Sequence, residues 1–249
     1  MEKLFSSMLR PKIYLFGDSV TQKSFAVGGW GASLANHFSR TADVVLRGYT
    51  GYKTRWALKV LNRVFLASQS GDGGAGTPPM AVTVCFGAND ACLSDRCSAF
   101  EHMPLNEYKQ NLHSIASFFK KQWPTTLVLF ITSPPIDEEA RLRHPYVDNP
   151  EGLPERTNEA AGEYARACIA VAGECGIPVV DFWTKLQQFP EWKKNHLSDG
   201  VHLSQSGNQI LFEEVIAKLK EEGFSPESMP ADLAFLSDID LNDPLKAFL

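Results

Sequence analysis

The chain has 249 residues, 44% hydrophobic and 21% charged, an ordinary globular composition with enough length to bury one sizeable core. Its net charge of -5 supplies no broad basic field, which argues against nucleic acid as a partner. No apolar run reaches the roughly 18 residues that a bilayer span needs, residues 1–11 are too interrupted for a signal-peptide core, and five cysteines suit reduced thiols better than a disulfide framework.

A soluble, cytoplasmic chain without stable membrane insertion is therefore expected. Cys92 and Cys97 are near enough in sequence to pair locally, but unpaired thiols are the simpler expectation.

In chain order, short apolar runs rich in β-formers occupy residues 12–16, 43–46, 81–86, 126–131 and 178–182, each bounded by turn residues, and predict five strands. Helical spacing fills the intervals. Trp56, Val60, Val64 and Phe65 form one stripe in the segment starting near Lys53, and Leu105, Tyr108, Leu112, Ile115 and Phe119 form another. The Gly-rich residues 70–79 predict a surface loop, and the irregular stretch 134–154 is placed to shape a pocket. Residues 224–249 are acidic with regularly placed Leu and Phe, which predicts a tail that packs on the domain or on a partner.

Alternating strands and helices, with strands apolar on both faces, define a three-layer α/β/α fold: a flavodoxin-like, five-stranded parallel sheet within one domain spanning 1–249. In such sheets ligands bind beyond the carboxyl ends of the strands, so the residues just after each run carry the functional information.

The first run ends in Gly17-Asp18-Ser19, which sets a hydroxyl at the strand end; helix capping by Asp18 or Ser19 is the structural alternative. A serine needs a base within hydrogen-bond reach, itself oriented by a third group. Asp199-Gly200-Val201-His202 offers both: the spacing lets one loop aim a carboxylate at the ring Nδ1 and leaves Nε2 for Ser19. After the third run, Asn89 offers a carboxamide donor for a developing oxyanion, against a turn or cap role for Asn89-Asp90. After the second run, a glycine can bring its N–H close to a ligand; Gly51 is the preferred donor and Gly48 the alternative. His37, His102, His113, His144 and His196 compete with His202, but the residue three before His196 is Lys193 rather than an acid. Without a His-x-x-x-His or Cys-x-x-Cys pattern, neither a metal nor a cofactor is expected.

Taken in the order serine, glycine, asparagine, aspartate and histidine, residues 12–219 resemble the SGNH (GDSL-like) hydrolases. RGYTGYKTRWAL at 47–58, TSPPIDE at 132–138 and residues 199–204 are similar to the isoamyl acetate-hydrolysing esterase branch and its plant relatives. The resemblance implies a serine esterase with Ser19 as nucleophile, Asp199 and His202 completing the triad, and an oxyanion hole built from the Ser19 and Gly51 N–H groups and the Asn89 side chain. It also implies a small-molecule ester substrate with a short acyl group. A thioesterase, a sugar or phospholipid ester deacetylase and an inactive binding relative are the alternatives. Phe100, Pro135 and Tyr146 are bulky enough to narrow a pocket, although loop packing is the blander account, and a homo-oligomer is left open by the apolar tail positions Leu233, Phe235, Leu236 and Leu241.

Overall fold

The computed structural model describes residues 10–66 and 78–248, in which five strands form one parallel sheet. Strands β1 (Lys12–Gly17), β2 (Asp43–Gly48), β3 (Ala81–Cys85), β4 (Leu127–Ile131) and β5 (Val179–Val180) lie in the order β2-β1-β3-β4-β5. In the register, β1 sets Gly17 beside Gly48 on one side and beside Cys85 on the other. The helices are α1 (Ser19–Gln22), α2 (Trp30–His37), α3 (Thr54–Leu61), α4 (Leu105–Gln122), α5 (Glu138–Arg143), α6 (Asn158–Cys175), α7 (Phe182–Leu186), α8 (Trp192–His196) and α9 (Gln205–Glu221).

The period-two alternation of the strands divides the core. Tyr14, Phe16, Val82, Val84 and Phe130 pack with Leu61, Leu112, Ile115, Phe119 and Val171, so α3, α4 and α6 cover one face. Ile13, Leu15, Ala81, Leu129 and Ile131 pack with Trp30, Leu34, Leu211 and Val215, so α2 and α9 cover the other. Local chemistry starts several of these helices: the side chains of Thr157, Asp181 and Ser204 accept from the first-turn N–H groups of α6, α7 and α9.

Three expectations are corrected. The stripe of α3 sits one position over: Thr54, Ala57 and Leu61 are buried whereas Trp56 is 42% exposed, and just beyond the helix Phe65 is buried as expected. The cause is a fixed helix start, because Asp90 accepts from the Thr54 N–H and sets the rotation of the turns that follow. The fifth strand stops at Val180 because Asp181 caps α7, which begins at Phe182. The stretch 134–154 is not wholly irregular, since it contains α5. Most of the expected loop at 70–79 lies outside the described residues.

Beyond α9 the chain returns to the edge of the sheet beside β2. Asp232 accepts from Arg40 at 2.8 Å and pairs with Arg10 at 3.0 Å, while the Arg40 guanidinium lies 4.6 Å from the centre of the Phe235 ring. At the start of the tail Phe224 and Met229 pack against the core, the contacts at Asp232 and Phe235 are polar and cationic, and Leu236 and Leu241 remain exposed.

Candidate active site

Strand β1 delivers its last residues to the carboxyl edge of the sheet, where α1 folds back so tightly that Gly17 has no room for a side chain: a Cβ there would lie 2.5 Å from the Cys85 carbonyl oxygen. Asp18 caps α1 through Oδ1, which accepts from the Val20 N–H at 2.9 Å. The two readings of this tripeptide therefore divide between its residues. Asp18 is the cap, and the Ser19 hydroxyl is left for another partner. Complete burial pushes the Asp18 carboxyl up to about 7, although the Val20 N–H opposes the rise.

That other partner is His202, whose Nε2 lies 2.8 Å from Ser19 Oγ across 183 positions of sequence. His202 Nδ1 is 2.7 Å from Asp199 Oδ2, and the second carboxylate oxygen accepts from the backbone N–H groups of Val201 at 3.1 Å and His202 at 2.9 Å. One short loop thus orients both side chains. It is closed by an antiparallel bridge between Leu197 and Leu203 and by the Ser198 N–H donating to the His202 carbonyl at 2.8 Å. Gly200 sits at φ +92, and a Cβ on it would meet the Asp137 carbonyl oxygen at 2.6 Å. Burial alone would raise the Asp199 carboxyl, but the His202 ring and the N–H donors of His202 and Val201 outweigh it and hold the carboxyl far below the usual carboxylate range.

The two glycines after β2 separate cleanly. Gly48 closes the strand against α1, and its Cβ would fall 2.1 Å from the Gln22 nitrogen. Gly51 instead occupies a turn closed by the Tyr52 N–H on the Tyr49 carbonyl, at φ +76 with open space around it. The left-handed backbone there favours glycine. Among the described residues neither the Gly51 N–H nor the Ser19 N–H has a protein acceptor.

Asn89, after β3, donates from Nδ2 to the Tyr52 carbonyl at 2.8 Å and accepts at Oδ1 from Arg156 at 3.1 Å. Its neighbour Asp90 faces the other way, onto Thr54, and burial lifts its carboxyl to about 6 against the Thr54 hydrogen bonds. Ser19, Asn89 and His202 are each buried, at 6%, 5% and 6% exposure, so a ligand must reach them through a narrow opening.

Of four neighbours of this site, three carried no signal in the sequence and Tyr146 only that of its size. The Tyr146 hydroxyl is 2.9 Å from both Asp199 Oδ2 and His202 Nδ1, so the residue marked only for its bulk meets the acid–imidazole pair with its polar end. Arg141 donates to the Asp199 carbonyl at 2.8 Å and lies 4.0 Å from the centre of the Tyr146 ring. Glu155 and Arg156 complete a buried ionic group with Arg141. Charged residues in and around an irregular stretch read as solvated, and only the fold reveals that these are not.

None of the competing histidines reaches Ser19. His196 meets Ser206, His113 meets Glu174, and His102 meets the Cys92 carbonyl. Phe100 is exposed and contributes its carbonyl to Lys53, whereas Pro135 is buried. Among the described residues no three His, Cys, Asp or Glu side chains are grouped to hold a metal ion, no helix is long and apolar enough to cross a membrane, and all five cysteines are free.

A parallel-sheet hydrolase architecture with a serine, imidazole and carboxylate in hydrogen-bonded series defines a class, and comparison with known proteins narrows it. Residues 13–215 match the family model of the GDSL-like lipase/acylhydrolases. A GDSL esterase/lipase of Arabidopsis thaliana is 62% identical over 97% of this chain and 99% of its own length. The human isoamyl acetate-hydrolyzing esterase 1 homolog is 40% identical over 94% and 90%. Among solved structures, a lipase/acylhydrolase from Enterococcus faecalis shares the fold with a TM-score of 0.65 at 24% identity, over 85% of this chain and 96% of that one. The chain belongs to the GDSL-like lipase/acylhydrolase family and is a carboxylic ester hydrolase.

Proposed function

We propose that the chain hydrolyses short-chain carboxylic esters, acetates foremost, through an acyl-enzyme on Ser19. The observation that carries this is the unbroken series from Ser19 Oγ to His202 Nε2 at 2.8 Å and from His202 Nδ1 to Asp199 at 2.7 Å. His202 takes the Ser19 proton as Oγ attacks the ester carbonyl, and Asp199 stabilises the imidazolium that results. The negative charge moves onto the carbonyl oxygen, where the unsatisfied N–H groups of Ser19 and Gly51 and the remaining Nδ2 hydrogen of Asn89 receive it. When the tetrahedral adduct collapses, the alcohol leaves with the proton from His202. Water then attacks the acyl group with His202 as base, releasing the acid and restoring Ser19.

The acetate preference rests on the 40% identity to a relative named for isoamyl acetate hydrolysis and on the nearly closed position of Ser19, which suits a small acyl group. The five free thiols favour a reducing compartment such as the cytosol. Residues 1–249 act as one catalytic domain in this scheme, with the tail from 224 held on it by Asp232.

A serine-directed phosphonate tests the nucleophile. Stoichiometric labelling that disappears in Ser19→Ala is expected, and equal labelling of the variant would refute the assignment. Parallel kinetics on acetyl, butyryl and octanoyl esters and on an acetyl thioester should give the highest kcat/KM with the acetyl oxygen ester; a maximum elsewhere overturns the acyl preference.

A further inference from the structure

We propose that Arg156 is a positioning residue for ester hydrolysis, fixing the Asn89 carboxamide with its Nδ2 toward the oxyanion while Glu155 and Arg141 tie it to the loop of Asp199 and His202. The proposal rests on the oxyanion role given to Asn89 above.

Every donor nitrogen of the Arg156 guanidinium has a named acceptor. Nε donates to the Ala88 carbonyl at 2.9 Å, Nη1 to Glu155 Oε1 at 2.8 Å, and Nη2 to Glu101 Oε2 at 2.6 Å and Asn89 Oδ1 at 3.1 Å. The group is 2% exposed. It therefore holds the backbone just before Asn89 and the side chain of Asn89 at once. Glu155 Oε1 also accepts from Arg141 Nε at 2.7 Å, and Arg141 Nη1 donates to the Asp199 carbonyl at 2.8 Å. The result is a continuous line of hydrogen bonds from Asn89 through Arg156, Glu155 and Arg141 to Asp199.

A carboxamide can sit in either of two orientations of similar shape, and only its partners decide between them. Here they decide without ambiguity. A guanidinium can only donate, so Oδ1 must face Arg156; a backbone carbonyl can only accept, so Nδ2 must face Tyr52. One Nδ2 hydrogen is committed to Tyr52 and the second is left for the oxyanion. The cationic partner on Oδ1 further polarises the amide and strengthens that free donor. Burying two arginines with one shared glutamate carries a desolvation cost that an apolar cluster of the same volume would avoid. A fixed donor at the reacting atoms is what the arrangement gains.

Lysine in place of Arg156 keeps the charge but cannot serve the four acceptors in their planar arrangement. The test compares Arg156→Lys, Asn89→Ala and the double variant on an acetyl ester, with thermal melts to verify folding. Arg156→Lys is expected to lower kcat by about 10- to 100-fold with KM little changed. In the Asn89→Ala background the same change should cost less than about 2-fold, because the residue it positions is gone. An equal loss in both backgrounds, or wild-type kcat for Arg156→Lys, overturns the proposal while leaving the oxyanion role of Asn89 intact. Wild-type kcat for Asn89→Ala overturns both. If Arg156→Lys does not fold, Glu101→Gln loosens Nη2 at a partly exposed acceptor. Its loss of kcat, several-fold in the wild-type background and absent with Asn89→Ala, supports the proposal; an equal loss in both, or none, overturns it.

Discussion

Asp18→Asn isolates the energetic cost of placing a carboxyl beside the serine. In the folded chain Asp18 is fully buried, Oδ1 is spent on the Val20 N–H, and Oδ2 has no protein donor, so the charged form is poorly solvated and the proton is retained up to about pH 7. The unfolded chain releases the same proton near the ordinary value of 3.8. Because the folded state binds the proton more tightly, stability drains away as pH rises from about 4 toward 8. At about 1.4 kcal/mol for each pH unit between the two values, the loss reaches roughly 4 kcal/mol. Asparagine keeps the Oδ1 acceptor for Val20 and does not titrate, so its own offset is constant with pH. Thermal unfolding followed by circular dichroism between pH 4 and 8 should show Asp18→Asn gaining on the wild type by on the order of 10 °C as the pH rises. Parallel curves, or a gap that widens toward acid, would refute the burial argument.

Asp199 should behave with the opposite sign. Its folded carboxyl is held low, so its contribution is complete above 3.8 and is lost only as pH falls further; the stability deficit of Asp199→Asn should persist at neutral pH and begin to close below 3.8, and the same variant should lose about 10⁴-fold in kcat. Gly48→Ala forces a Cβ to within 2.1 Å of the Gln22 backbone and should lower stability by about 1–3 kcal/mol or more, whereas Gly51→Ala meets open space and costs only about 1–2 kcal/mol of left-handed strain. Denaturant melts compare the two, and equal losses would contradict the packing role of Gly48. Leu61→Ala should cost about 2–5 kcal/mol and Trp56→Ala about 1 kcal/mol or less; the reverse ranking by the same melts would restore the stripe expected from sequence.

The strands were legible because both faces of the sheet are covered, so their apolar runs stand out against polar turns. Ser19 and His202 were legible because each lies beside a residue that explains it, Asp18 as a cap and Asp199 as an orienting carboxylate. The rotation of α3 was not, since Trp56 and Ala57 are both apolar and the deciding contact, Asp90 on Thr54, spans 36 positions. Arg141, Glu155 and Arg156 were invisible for a related reason, and Tyr146 was legible only for its bulk. The burial of the three charged residues depends on α5 and the following loop folding over the sheet edge, and local composition carries no record of that event.

That same loop explains how a site assembled from four separate segments holds its geometry on an apolar cluster as small as Ala88, Ile136, Ala161 and Val201. Loop backbone at a sheet edge carries N–H and C=O groups that no ladder satisfies. Here they bind one another across segments: the Asp137 N–H donates to the Gly200 carbonyl, the Leu93 N–H to the Glu155 carbonyl, and the two buried arginines to the carbonyls of Ala88 and Asp199. Glu155 is the centre of this arrangement, because its Oε1 is shared by both guanidinium groups. Removing that carboxylate would leave Arg156 with Glu101 but strip buried Arg141 of its close carboxylate partner, a change of the kind that costs about 3–5 kcal/mol. Glu155→Gln should therefore destabilise the fold far more than Arg156→Lys, which retains a charge for Glu155 and disturbs chiefly the orientation of Asn89. If the two variants melted alike, the carboxylate would not be the pivot, and the loops would have to be held by their backbone bonds and the apolar cluster of Ala88, Ile136, Ala161 and Val201.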